Sequence, residues 1–515
     1  MKSPNSTTSY LELLKLVAPE TIVVITALAV LAIGLATGRA RSTATIPFNT
    51  SRNVREKPVA APVTFTVAVF GLAVAICAVF MLPRHIALFT GMLAITPLTS
   101  LFKIICLVLA LFTVLITTSE EARRDTGEYL ALVLFATVGL MLLVGSEELL
   151  MIFIGLELLG LSLYVMTAFD KTDVRSAEAG LKYFLFGSTS SAFTLFGISL
   201  IYGMSGTTSL AAISEKVTIA AVQPLLAVGV VMTLIGFGFK IAAAPFHLWA
   251  PDAYQAAPVP SAAFIASGSK VASFVVLGKI VLVGFAPVHG SAAWHAMAAG
   301  WSPVLAALAA LSIVVGNIVA LGQRNVRRLL AYSAVAHAGY TLLGIIAGGR
   351  DGFAAALFYA TVYAITLVGA FGIVALVRQQ TGGDDIANFS GLFSRSPLLA
   401  ACMTIFLLSL AGIPPLTGFF GKFYLFSAAL RGGGNYGLLW LVAVALFGSF
   451  ISLYYYLTVL KAIFVDEPLR AAVGGTDVLR PDLPARTAIV LLAAAVVLLG
   501  LTPGLLTAPI LAATQ

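Results

Sequence analysis

The sequence predicts an all-α, polytopic membrane protein that crosses the bilayer about fourteen times. Three observations carry that expectation. The chain is 60% hydrophobic and only 10% charged, far above and far below soluble averages respectively. It contains repeated apolar runs near the roughly 20 residues that a spanning helix needs. Its basic residues collect in alternate loops, the pattern that orients helices in a bilayer.

The runs lie near 20–37, 61–82, 99–117, 128–145, 147–168, 181–204, 223–245, 258–285, 302–321, 328–347, 353–377, 397–429, 437–463 and 486–507. The seventh and twelfth are interrupted. Residues 1–19 form a short polar tail, with Ser3 to Ser9 expected to be disordered. The first run lacks a small-residue cleavage site and reads as a span, not a removable signal peptide. Arg39, Arg41, Arg52, Arg55 and Lys57 follow the first run, in a 38–60 loop rich in Ser, Thr, Asn and Pro. Arg123 and Arg124 follow the third, Lys171 and Arg175 the fifth, and Arg324, Arg327 and Arg328 the ninth. Arg378 and Arg395 follow the eleventh; Arg470 and Arg480 follow the thirteenth. The alternate loops hold only scattered bases such as Arg84, Lys216, Arg350 and Arg431. This asymmetry predicts cytoplasmic basic loops with both termini on the outer side. It also accounts for the net charge of +8 without a nucleic-acid surface.

The first three spans carry few polar residues, and Lys103 at the start of the third is expected to snorkel to the interface. Span five opens with Glu147 and Glu148, read as a solvated outer turn. Glu157 lies ten residues further in, roughly 15 Å along a helix and so near mid-membrane in a core about 30 Å thick. Gly155 and Gly160 beside it permit a close neighbour. Intramembrane ionisable groups mark pathways by default, so Glu157 is a candidate functional carboxylate. In span six, position alone leaves Lys182 open to snorkelling or to proton relay, and the small and hydroxyl residues from Gly187 to Ala192 suit tight packing and water contacts.

Span seven holds the stretch around which the chain is organised, Gly236 to Gln255. Lys240 sits deep in an apolar run, where a lysine costs about 2.5–3.5 kcal/mol on insertion scales. Pro245 follows five residues later and must break or kink the helix. Broken backbone at that depth is tolerated only inside protein or beside a wet cavity. Beyond it, Asp252 reads as a cap or a cytoplasmic residue, and His247 as a core histidine or a relay. Lys270, a dozen residues into span eight and about 18 Å from its start, reaches neither surface comfortably. Lys279 is read as snorkelling at the outer end. In span ten, His337 stands between Ser333 and Tyr340, suited to hold water and pass protons near neutral pH, or to pack as a hydrogen-bonded core residue.

Span twelve repeats the same grammar. Gly412-Ile413-Pro414-Pro415 forces a break, and Lys422 follows in apolar sequence. Matching broken spans in two halves point to inverted repeats. Spans 4–8 and 9–13 are therefore expected to form two five-helix repeats of opposite topology. The chain divides into 1–127 (tail and three spans), 128–285 (first repeat), 302–463 (second repeat) and 464–515 (loop and last span). Tyr454, Tyr455, Tyr456 and Lys461 at the end of span thirteen read as an interfacial anchor. Cys77, Cys106 and Cys402 are isolated, and no CxxC spacing, dinucleotide fingerprint or Walker loop exists, so no iron–sulfur cluster, structural zinc or nucleotide is expected in this chain.

The runs Phe239 to Gln255, Arg328 to Tyr340 and Ala411 to Lys422 resemble the subunit N family of bacterial NADH:quinone oxidoreductase, the antiporter-like subunits of respiratory complex I. The resemblance extends from about Glu128 onward. It implies a proton channel without a redox centre, in the bacterial inner membrane, beside related antiporter-like subunits of the membrane arm. NAD, FMN, iron–sulfur clusters and quinone would belong to partner subunits, with no cofactor in this chain. In that family a span-five glutamate pairs with a span-seven lysine, matched by Glu157 and Lys240. Lys270, Lys422 and Lys182 match further family lysines. Thr458 departs from the basic residue of many relatives, and the 38–60 loop is longer than usual. The expected pathway is Glu157, Lys240, Lys270, His337 and Lys422, bridged by water, with Pro245, Pro414 and Pro415 supplying the breaks. Three rival readings are a subunit of a multi-subunit cation/proton antiporter, a secondary permease binding a solute at the broken spans, and a passive membrane scaffold.

Overall fold

A computed structural model describes residues 10–42, 60–117, 125–217, 224–432, 436–467 and 482–514. The Ser3 to Ser9 tail, most of the 38–60 loop, and Arg123, Arg124, Arg470 and Arg480 lie outside the described residues. The fold is mostly helical, and among the described residues twelve helices are long and apolar enough to cross a membrane, with two further apolar runs split into half-helices; the fourteen are numbered here as spans. Spans one to six are Ala18–Ser42, Ala60–Phe80, Pro97–Thr117, Thr126–Gly145, Leu149–Thr167 and Val174–Ser205. Span seven is split into Pro224–Lys240 and Trp249–Ala256. Span eight comprises Val259–Ala266, Gly268–Lys279 and a π-helical turn, Ile280–Gly284. Spans nine to eleven are Trp301–Leu321, Val326–Ala347 and Gly349–Thr381. Span twelve is split into Pro397–Ala411 and Thr417–Gly432. Leu439–Phe464 and Leu483–Leu501 complete the set, followed by a short helix, Gly504–Ala513.

Helix is the natural state for these segments, because in lipid every backbone donor and acceptor must be satisfied within the segment. The ends are marked chemically. Asp173 accepts from the Arg175 amide at the start of span six, and Asn325 accepts from the Arg328 amide at the start of span ten. Span eleven, 33 residues long, runs through the centre against spans eight, ten, twelve and fourteen. Spans eight, ten and eleven are almost wholly buried, whereas spans one, two, six and thirteen keep an apolar outer face that includes Phe70, Phe196, Phe447 and Phe450. In water such a face would be a liability; against acyl chains it is the expected surface.

Span eight departs from expectation. It bends at Ser267 (φ −113°, ψ −84°) and widens into the π-turn directly after Lys279. No proline marks the bend; Ser267-Gly268-Ser269 occupies it. A small hairpin, Ile86–Leu88 paired with Leu93–Ile95, closes the end of the molecule opposite the basic loops.

Three charged residues expected at water or headgroups are instead tied into the interior. Lys103 is fully buried, its Nζ 2.6 Å from Glu20 Oε1. Lys279 is buried and donates to the carbonyls of Val144 (2.9 Å) and Ser146 (3.3 Å), with Glu147 at 3.9 Å. Glu148 is buried and caps span five, accepting from the amides of Leu150 and Met151. The reason is common to all three. Each finds its partner on another span or at a helix end, and a paired charge is less costly inside than an unpaired one. At span thirteen, Tyr455 and Tyr456 point inward and are buried, leaving Tyr454 alone exposed.

Candidate functional site

The site begins at the break in span seven. The helix ends on Lys240, Ala242 takes a positive φ of 57°, and the chain re-enters helix at Trp249. Freed backbone groups are satisfied locally. The Ala244 amide donates to Ser312 Oγ (2.8 Å), and Trp249 Nε1 donates to the Phe239 carbonyl (3.1 Å). Tyr183 stacks flat on Trp249 at 4.0 Å and holds the second half in place. Lys240 is thereby fixed on the last turn of a helix, where unpaired carbonyls and the negative end of the dipole favour a cation.

Glu157 faces Lys240 from span five, and its carboxylate accepts a hydrogen bond from Ser191. The two charges do not touch, since their separation exceeds the 4.0 Å of a direct ion pair. Between them lies a cavity of about 20 Å³ lined by both residues, Ser190, Thr194 and Tyr164. That volume holds one water, and the lining offers it polar partners. Gly160 makes the room, since a Cβ there would lie 3.1 Å from Tyr164 Oη and 3.5 Å from Lys240 Nζ.

A second constellation forms around His337. Lys270 Nζ, three residues past the Ser267 bend, donates to the Ala334 carbonyl at 2.6 Å and sits 5.9 Å above the Tyr363 ring. Tyr363 stacks on His337 at 4.6 Å. On the other side Tyr340 meets the imidazole edge-on at 5.5 Å, and Lys422 Nζ lies 5.3 Å over the Tyr340 ring. The sequence Lys270, Tyr363, His337, Tyr340, Lys422 is thus an unbroken run of neighbours. Both imidazole nitrogens are engaged, Nδ1 with Tyr359 Oη (2.8 Å) and Nε2 with Tyr456 Oη (3.2 Å). A tyrosine hydroxyl can donate or accept, so either tautomer of His337 is satisfied in place. Tyr456 Oη also meets Ser333 Oγ at 2.5 Å, and Asn317 donates to Tyr340 Oη at 2.9 Å.

Lys422 is seated by the break in span twelve. The first half ends at Ala411, and Gly412 turns the chain in the left-handed region (φ 88°). The amine donates to the last carbonyls of that half, Leu410 (3.1 Å) and Ala411 (2.9 Å), and to Ser449 Oγ (2.7 Å). A cation at a helix C-terminus also meets the favourable end of the dipole. Pro414 and Pro415 lie within the break, as Pro245 does in span seven.

Lys182 stands apart from both groups. It is partly exposed and pairs with Glu178 (2.7 Å) and Asp252 (2.9 Å), while Arg328 joins Asp252 at 2.6 Å. This ion cluster ties spans six and ten to the second half of span seven, on the basic-loop side. His247, within the break, is buried with Nδ1 unpartnered, and its ring lies 6.3 Å from that of Tyr332. Tyr359, Tyr363 and Asn317 escaped the sequence reading, and Tyr456 was read as an interfacial anchor although it is buried beside His337. A lone asparagine in an otherwise apolar span nine was the available signal; the tyrosines carry none, since their contacts lie across spans. Among the described residues no group of three or more His, Cys, Asp or Glu is placed to hold a metal.

Buried amines seated at interrupted helices and joined by hydroxyl and imidazole groups define a class, the antiporter-like membrane subunits. The chain belongs to the NADH:quinone oxidoreductase/Mrp antiporter transmembrane family, whose profile matches residues 146–452. It is 45% identical over 509 residues to NADH-quinone oxidoreductase subunit N 2 of Acidobacterium capsulatum, covering 97% of this chain and 98% of that one. It is 38% identical over 422 residues to NADH-quinone oxidoreductase subunit N of Desulforamulus reducens, covering 81% and 84%. Among solved structures, a chain of respiratory complex I from Thermus thermophilus with bound aureothin superposes with a TM-score of 0.73 at 32% identity, covering 95% and 98%. A chain of the Mrp complex from Dietzia sp. gives a TM-score of 0.78 at 21% identity, covering 96% of each chain, and shares the fold.

Proposed function

We propose that this chain is a proton-translocating membrane-arm subunit of a bacterial NADH:quinone oxidoreductase, the counterpart of subunit N. Protons move across the inner membrane along Glu157, Lys240, Lys270, His337 and Lys422 with intervening water. NADH oxidation and quinone reduction take place in partner subunits, which hold the FMN, iron–sulfur clusters and quinone; this chain has no redox centre. Its neighbours are other membrane-arm subunits, including related antiporter-like chains. The observation that carries this reading is the run from Lys270 through His337 to Lys422, because a desolvated amine can both take and give a proton and a doubly bonded imidazole can pass one.

The Glu157–Lys240 pair acts as the switch. A carboxylate close to Lys240 favours the charged lysine, and separating them favours release toward Lys270. Lys182 with Asp252 is a charged contact at the basic-loop side that can supply protons to the span-seven break. The basic loops face the cytoplasm and both termini the outer side. Spans 4–8 and 9–13 are inverted repeats within 128–285 and 302–463, with 1–127 and 464–515 as flanking parts. The test is proton pumping by the assembled enzyme carrying Lys240→Ala or Glu157→Ala. A several-fold loss in each is expected; full pumping in both overturns the reading.

A further inference from the structure

A much larger space lies against the same switch. Between spans one, four, five and six runs a groove of about 700 Å³ whose walls are apolar, among them Leu132, Phe135, Leu161, Val165 and Phe184. Its mouth, on the basic-loop side, carries Lys171 and Glu128, and Asp125 sits 3.7 Å from the Lys171 amine. Its inner end is Tyr164, which also lines the Glu157–Lys240 cavity. One side chain, Tyr164, therefore lies between this outer groove and the Glu157–Lys240 cavity. Tyr164 is held there by contact with Tyr183 (4.7 Å) and Phe184 (5.9 Å), and by the missing side chain of Gly187, where a Cβ would fall 2.0 Å from the hydroxyl.

We propose that this groove is a binding site for one zwitterionic phospholipid, whose acyl chain packs on Tyr164. Apolar walls alone do not select an occupant in a bilayer, because acyl chains are as apolar as leucine. The mouth does select one. A zwitterionic headgroup carries a phosphate for Lys171 and an ammonium for Glu128 and Asp125, whereas an anionic headgroup would leave the two carboxylates facing a like charge. From Leu161 to Ala168 the groove follows the last turns of span five and its C-cap, a rise of roughly 10 Å, enough for half an acyl chain. A chain seated there backs Tyr164 against the cavity and keeps bilayer and switch apart. That last consequence rests on the proposed pathway; the lipid site does not.

The test uses the assembled enzyme purified from membranes containing phosphatidylethanolamine and phosphatidylglycerol, with the photoreactive residue p-benzoylphenylalanine in place of Leu161. Leu161 lines the groove and is half exposed, so the substitution is compatible with folding. Illumination followed by mass spectrometry is expected to give a phosphatidylethanolamine adduct on this chain. Adding Lys171→Glu should lower its yield several-fold, because it puts a carboxylate opposite the lipid phosphate. A protein adduct in place of lipid, a phosphatidylglycerol adduct, or a yield indifferent to Lys171→Glu each overturns the site. Pumping is read in parallel with Tyr164→Ala. A lipid adduct with full pumping in that variant keeps the binding site, overturns its sealing role, and leaves the pathway to be judged by Lys240→Ala.

Discussion

His337 has hydroxyl partners on both nitrogens, while the two nearest lysines approach it only across aromatic rings. That arrangement gives the tyrosines distinct roles that single changes can separate. Tyr456→Phe removes a hydroxyl bonded to both His337 and Ser333, and stranding buried polar groups costs about 1–3 kcal/mol. Lower thermal stability of the assembled enzyme and several-fold weaker pumping are expected, measured side by side. Tyr454→Phe, two residues away but exposed, is expected to change neither. Equal behaviour of the two variants would remove Tyr456 from the site. At this scale the sequence was informative about charge and silent about partners. Glu157, Lys240, Lys270, His337 and Lys422 stand out because ionisable groups in apolar runs are costly. Tyr359 and Tyr363 do not, since a tyrosine in a helix looks the same whether it faces lipid or an imidazole across the fold.

Among the elements, each of the three central lysines is tied to an irregularity in a helix. Lys240 ends one half-helix, Lys270 follows the Ser267 bend, and Lys422 caps the carbonyls of another half-helix. A broken helix leaves unpaired carbonyls at mid-span that can receive an ammonium, as those of Leu410 and Ala411 do for Lys422; Lys270 instead donates to the Ala334 carbonyl of the unbroken span ten. Gly412 is the hinge of the third case. A Cβ there would lie 3.0 Å from Lys422 Cδ, and the positive φ penalises any side chain. Gly412→Ala should therefore cost about 1–2 kcal/mol in backbone strain and displace the amine. Preserved assembly with reduced pumping is expected; unchanged pumping would show that Lys422 need not sit on those carbonyls. The breaks at Pro245 and at Pro414–Pro415 were legible because proline cannot continue a helix. The Ser267 bend was not, because serine and glycine permit a bend without requiring one. Nor were the interior ties of Lys103 and Lys279, whose partners Glu20 and Val144 are far away in sequence.

For the whole molecule, composition alone decided the architecture, since 60% apolar residues in fourteen runs leave a helical bundle as the solution in lipid. Burial then sorts the bundle. Spans eight, ten and eleven form a buried centre around the His337 cluster, and spans one, two, six and thirteen keep an exposed apolar face. Two groups of ionisable residues result, the Glu157–Lys240 cavity toward one edge and the Lys270–His337–Lys422 run through the centre. Their joint role is the central claim, and Lys270 is where it is most exposed, because that amine alone begins the central run. The most direct measurement is the number of protons delivered per NADH oxidised by the assembled enzyme in proteoliposomes, with Lys270→Met against the parent. A lower ratio is expected in the variant at equal enzyme content. An unchanged ratio at an unchanged oxidation rate would contradict it.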